Sequence, residues 1–107
     1  MLGAKVTVTI DRPMGTYHPK HKDFYYPVNY GYIEGIMGGD GEEQDAYVLG
    51  VDHQVETFDG VMIAIIHRMN DNEDKWVVAP ECVVLTKEEI MAQVHFQEQY
   101  FQTEIEM

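Results

Sequence analysis

The chain holds a single cysteine, Cys82, in 107 residues. One thiol excludes an internal disulfide and with it a disulfide-stapled scaffold, which points to a reducing compartment, the cytoplasm. Cys82 itself reads as a buried or half-buried thiol. No apolar run approaches the roughly 18 residues that cross a bilayer, so no membrane partner is expected. The opening MLGAKVTVTI has neither the apolar core nor the cleavage pattern of a signal peptide. Basic residues are few, 7 Lys and Arg against 19 Asp and Glu, for a formal net charge of -12. So acidic a surface repels a phosphate backbone, and nucleic acid is not expected as a partner. Repeats, low-complexity tracts and linkers are missing too, so residues 1–107 read as one compact domain.

What is present is unevenly spread. Residues 1–39 carry a net +1 and the remainder a net -13. Excess carboxylate by itself keeps a protein soluble. It also suits an anionic phosphate ligand when divalent cations stand between the two. Apolar residues make up 45% of the chain, enough for a packed core.

The β-branched alternation Val6-Thr7-Val8-Thr9-Ile10 predicts a strand. Pro13, Gly15 and Pro19 mark residues 11–23 as loop. Strands are predicted over 30–37, ending at Gly38-Gly39-Asp40-Gly41, and over 46–51, with Gly50 at a bulge or bend. Asp59-Gly60 reads as a turn ahead of a strand over 61–69, and the polar stretch 70–74 as a hairpin turn into a strand over 75–79. A further short strand is read at 83–85. Thr86-x-x-Glu89 is a capping box, opening an amphipathic helix from Lys87 to about Gln102. Short strands with one terminal helix and no helices between strands give a mainly β fold, a small antiparallel barrel or α+β arrangement.

The chemistry concentrates in Tyr25 to Ala46, YYPVNYGYIEGIMGGDGEEQDA. Tyr26, Asn29, Tyr30 and Tyr32 offer hydroxyls and an amide from a strand. Asp40, Glu42 and Asp45 then bring three carboxylates together at a glycine-rich turn. Mg²⁺ takes oxygen ligands, commonly one or two carboxylates with waters and phosphate oxygens, so this set suits such an ion. The same residues also fit an exposed acidic turn without a ligand, and the tyrosines fit sheet packing.

YYPVNYGYI followed by DGEEQDA resembles the soluble inorganic pyrophosphatases, whose core reads aromatic-Tyr-Pro-x-Asn-Tyr-Gly-Tyr-Ile and then Asp-Gly-Asp-Pro-aliphatic-Asp. The resemblance implies a small OB-like antiparallel β-barrel with a C-terminal helix. It implies Mg²⁺ as cofactor and pyrophosphate, hydrolysed to two phosphates by a metal-activated water, as substrate. Asp40 and Asp45 match metal-binding aspartates, and Glu42 matches the carboxylate that orients or deprotonates the water, with Asp45 holding the metals that share it. Tyr26 and Tyr30 match tyrosines lining the site. The segment MNDNEDKWVVAP resembles a second acidic segment, in which Lys75 is the phosphate-binding lysine. Asp71 and either Glu73 or Asp74 are there the metal ligands. Tyr100 matches a tyrosine that reaches phosphate, while Phe101 stands where a lysine is expected and reads as core packing.

The N-terminal part departs from the pattern. Only 13 residues separate Ile10 from Phe24, so a family hairpin is missing. Asp11 can stand for the first acidic residue, and Arg12, Lys20, Lys22, His18 and His21 are the cations on hand for an anionic substrate. Glu42 is one methylene longer than the family's aspartate, and Phe101 removes a cation, so a slower enzyme or another phosphoanhydride is implied. The alternative is a non-catalytic module of the same shape that binds metal, phosphate or nucleotide. The apolar face of the helix offers a surface for a homo-oligomer.

Overall fold

The computed structural model describes residues 2–39, 41–71 and 73–107. Among them, eight strands and one helix run in the order β1 (Lys5–Arg12), β2 (Thr16–Tyr17), β3 (Tyr25–Tyr26), β4 (Asn29–Met37), β5 (Glu43–Val48), β6 (Thr57–Arg68), β7 (Asp74–Ala79), α1 (Lys87–Glu98) and β8 (Thr103–Glu106). The sheet order is β1-β4-β5-β7-β6, and β6 returns to pair with β1. Five strands therefore close into a small OB-like barrel, with β8 added along β6. All pairings are antiparallel except β5 with β7, which run parallel.

Alternation along each strand divides the interior into two clusters. Val8, Ile33, Ala46, Val48 and Val78 pack on one side. Tyr47, Ala64, Ile66 and Val77 pack on the other, against Ile90 and Val94 of α1. That helix starts where its capping box predicts: Glu89 N donates to Thr86 Oγ1 at 3.1 Å, and Thr86 N donates to Glu89 Oε1 at 2.9 Å. It ends at Glu98, short of Gln102, because the following chain turns and pairs with β6 as β8. No helix is long and apolar enough to cross a membrane among the described residues.

Several expectations are corrected. Asp59-Gly60 is no turn but lies within β6, with Gly60 opposite Val6. A Cβ at Gly60 would meet the Phe58 ring at 2.5 Å and the Ala79 carbonyl oxygen at 2.7 Å, so this glycine marks a close approach rather than a reversal. Residues 83–85 are not a strand, since Val83 N closes a turn onto the Pro80 carbonyl at 3.0 Å. The loop 11–23 is partly ordered by the β2–β3 pair, Thr16 opposite Tyr26 and Tyr17 opposite Tyr25. Cys82 is exposed, not buried. Gly50 does bend the chain, at φ +80°.

One crossing fixes the site end of the barrel. In the β1–β4 ladder Ile10 faces Gly31 but Arg12 faces Tyr30, so Asp11 is the extra residue of a β-bulge. A Cβ on Gly31 would lie 1.9 Å from the Thr9 carbonyl oxygen, so only glycine allows β1 and β4 to approach this closely. The bulge carries Asp11 and Arg12 to the rim beside Tyr30.

Candidate active site

The barrel brings charged and phenolic groups together at this rim because strand register aligns them. Tyr30 of β4 lies opposite Tyr47 of β5. The parallel β5–β7 register pairs Tyr47 with Val77, which sets Asp45 and Lys75 side by side on one face. Lys75 is 3% exposed. Its Nζ donates to Asp45 Oδ2 at 2.5 Å and to Glu73 Oε1 at 3.1 Å, and it lies 5.9 Å from the Tyr30 ring centre. Burial works against its charge, but the Asp45 carboxylate, through its hydrogen bond and its charge, holds Lys75 protonated, above the usual lysine range.

Burial, with Asp45 adding to it and Lys75 opposing, pushes the Tyr30 hydroxyl above its ordinary range. Tyr30 is therefore a neutral phenol and a donor. Tyr26 is raised as well, chiefly by burial, with the nearby Arg12 charge opposing. Asp11 is raised by partial burial, while Arg12 lowers it and the Asp45 charge adds to the rise. The Asp45 carboxylate of β5 thus acts on Asp11 of β1 across the rim.

A buried network stands behind these groups. Glu98 is 2% exposed and accepts from Arg68 at 3.0 and 2.7 Å through two parallel bonds. The Tyr47 hydroxyl donates to the same carboxylate at 2.6 Å and accepts from Gln97 Nε2 at 2.6 Å. The Tyr47 ring in turn packs on the Tyr30 ring, with centroids 4.9 Å apart. Arg68 reaches toward Asp71 and Glu73 at 3.7 and 3.9 Å, and its guanidinium lies 3.7 Å from the centre of the Phe101 ring. The helix end therefore holds the tyrosines of the site through Glu98 and Gln97. Neither residue stands out in the sequence, where both read as the polar face of a helix. A Glu–Gln pair at the end of an otherwise apolar-facing turn is the only signal.

The sequence candidates are placed as follows. Asp45, Tyr30, Tyr26, Lys75 and Arg12 converge on the rim. Glu73 stands beside Lys75; Asp74 is turned to the other face of β7, where it bonds His67 Nδ1 at 3.2 Å. Alternation along an extended strand puts the two on opposite faces, Glu73 with Lys75 and Asp74 with His67. Asp71 is half-buried near Arg68. Glu42 is exposed in the turn ahead of β5, where its carbonyl accepts from Gly38 N at 2.7 Å. Asp40 lies outside the described residues. Lys20 and Lys22 are exposed on the loop. Tyr100 is 68% exposed in the turn after α1, because the helix stops short of it. Among the described residues, no three His, Cys, Asp or Glu side chains are grouped as a ready metal site.

The class of architecture is a closed OB-like barrel with a basic and acidic rim braced by a C-terminal helix. Solved structures that share it are inorganic pyrophosphatases. That of Ehrlichia chaffeensis superposes with TM-score 0.73 at 16% identity, covering 99% of this chain and 87% of that one. That of Neisseria gonorrhoeae gives 0.67 at 18% identity over 92% and 74% of the two chains. The Helicobacter pylori enzyme gives 0.66 at 17% identity over 99% and 86%. At these identities the likeness establishes the fold. No protein-family model and no curated protein sequence matches this chain.

Proposed function

We propose that this chain is a cytoplasmic Mg²⁺-dependent phosphoanhydride hydrolase that cleaves inorganic pyrophosphate to two phosphates at the rim formed by Asp11, Arg12, Tyr26, Tyr30, Asp45, Glu73 and Lys75. The observation that carries the reading is the buried, protonated Lys75 set between Asp45 and Glu73 beneath Tyr30. A fixed cation among carboxylates has little use in a bare acidic turn, but it suits a ligand that arrives as anion plus metal. The solved neighbours are named as inorganic pyrophosphatases, which agrees with that ligand.

The donor set fits a hard divalent ion. It is all oxygen, with neither imidazole nor thiol, and the mutual effect of Asp11 and Asp45 is what a cation between them would relieve. Asp45 and Glu73, joined by Asp11 and Asp71, would hold Mg²⁺. When bound, the ion lowers the pKa of water and offsets phosphate charge. Lys75 and Arg12 supply fixed positive charge to the phosphate oxygens. Tyr30 and Tyr26, kept neutral by burial, donate hydrogen bonds to them. Phosphoryl transfer needs positioning and charge stabilisation rather than a side-chain nucleophile, and none is required here.

The test is phosphate release from pyrophosphate with Mg²⁺ and with EDTA, for the natural chain and for Lys75→Met. Metal-dependent release that falls about 10²-fold in the variant is expected, the usual loss when one electrostatic donor is removed. A folded chain that releases no phosphate with Mg²⁺ overturns the proposal. That result would favour the binding-module reading, which the direct Asp45–Lys75 contact also supports, since it already neutralises one carboxylate.

A further inference from the structure

Beside the rim lies a cleft of about 430 Å³ lined by His18, His21, Asp23, Phe24, Tyr26 and Gln97. Its size falls within the range of small-molecule sites, and pyrophosphate alone has no use for its aromatic walls. Two of its residues reach the rim as well: the Tyr26 ring lies 5.8 Å from the Tyr30 ring, and Gln97 donates at 2.6 Å to the hydroxyl of Tyr47, whose ring packs on Tyr30 at 4.9 Å. The cleft is thus a continuation of the candidate active site. The His18 and Tyr26 rings are nearly parallel, inclined by 23° with centroids 6.4 Å apart. Phe24 meets Tyr26 edge-on at 5.3 Å and packs on Phe96 of α1 at 5.8 Å, which fixes that wall to the helix. His18 is fixed from below, where its Nδ1 accepts from Lys20 N at 3.0 Å and His21 N at 3.3 Å. A ring nitrogen that accepts two backbone N–H bonds carries no proton, so the imidazole is neutral and presents a flat π face.

From this arrangement we infer that the substrate class includes a phosphoanhydride bearing a planar aromatic group, a nucleoside di- or triphosphate, whose base enters the cleft while its phosphates meet Arg12 and Lys75. The inference rests on the phosphoanhydride reading of the rim. Charge sets the orientation: Asp23, an exposed residue of the cleft wall, repels phosphate but accepts from an exocyclic amine, and Gln97 both donates and accepts. Base-on-aromatic stacking of this kind tolerates different bases, so the cleft selects for a base rather than for one base.

The test is calorimetric binding, in Mg²⁺, of the α,β-methylene analogue of adenosine diphosphate and of methylenediphosphonate, neither of which is cleaved. The nucleotide analogue is expected to bind about tenfold more tightly or better, as one stacked base provides. In His18→Ala and Phe24→Ala the ratio of the two affinities should fall to within about threefold of unity. His18 packs outside the two core clusters, so its variant keeps the test valid where Phe24→Ala fails to fold. Equal or weaker binding of the nucleotide analogue overturns the inference, as does an advantage that survives His18→Ala. The pyrophosphate assay is separate: absent phosphate release refutes the hydrolase, whereas the affinity ratio decides the cleft.

Discussion

Separating Arg68 from Glu98 is the sharpest perturbation the fold offers. The pair is bidentate, at 3.0 and 2.7 Å, with side chains 4% and 0% exposed. Replacing Glu98 by Leu leaves a buried guanidinium whose remaining carboxylates, Asp71 and Glu73, are 3.7 and 3.9 Å away. Replacing Arg68 by Met leaves a buried carboxylate that, among the described residues, keeps the Tyr47 hydroxyl as its donor. Breaking a buried pair from one side costs about 3–5 kcal/mol, so each single variant should lose that much of the unfolding free energy. Replacing both partners by apolar groups removes the stranded charge. The Tyr47 hydroxyl then keeps Gln97 as a donor but has no acceptor, which costs about 1–3 kcal/mol. The double variant should therefore be more stable than either single one. Urea unfolding of the four proteins gives the cycle directly. Single losses below about 1 kcal/mol, or a double loss equal to the sum of the singles, would refute the reasoning.

Three further outcomes are expected. Gly31→Ala should lose about 3 kcal/mol, the upper end of overpacking, because the new Cβ meets the Thr9 carbonyl oxygen at 1.9 Å and neither backbone can yield without undoing the bulge; thermal melts check it. Glu73→Gln should lower metal-dependent phosphate release about 10²-fold while Asp74→Asn leaves it within about twofold, since only Glu73 stands by Lys75; steady-state kinetics on the two variants distinguish them. His67 bonds Glu106 Oε1 at 2.8 Å and Asp74 Oδ1 at 3.2 Å, and these partners, Glu106 first, raise its pKa. Its stabilising contribution is complete below the unfolded value of about 6.5 and is lost as pH rises through the higher folded value, so the melting temperature should fall above neutrality and His67→Gln should flatten that slope.

The sequence by itself determined the local structure and the chemical ingredients. The alternation in 6–10 and the capping box at Thr86 are decided by residues a few positions apart, and both are present as read. Tyr26, Tyr30, Asp45 and Lys75 stand in local motifs, and the fold brings these four together at the rim. Other features depend on partners far along the chain. Asp59-Gly60 carries the local signal of a turn, yet pairing with β1 some fifty residues earlier draws it into β6. β8 forms because β6 offers an edge, and that pairing goes with a helix that ends at Glu98 rather than near Gln102. That Glu73 faces Lys75 while Asp74 faces His67 is a matter of strand phase, set by how β7 pairs with its neighbours. Glu98 looks like one more solvated carboxylate until Arg68, thirty residues away, and Tyr47, fifty-one away, enclose it. Burial turns a common surface residue into the brace of the candidate site, and burial is a property of the closed barrel rather than of any segment of the chain.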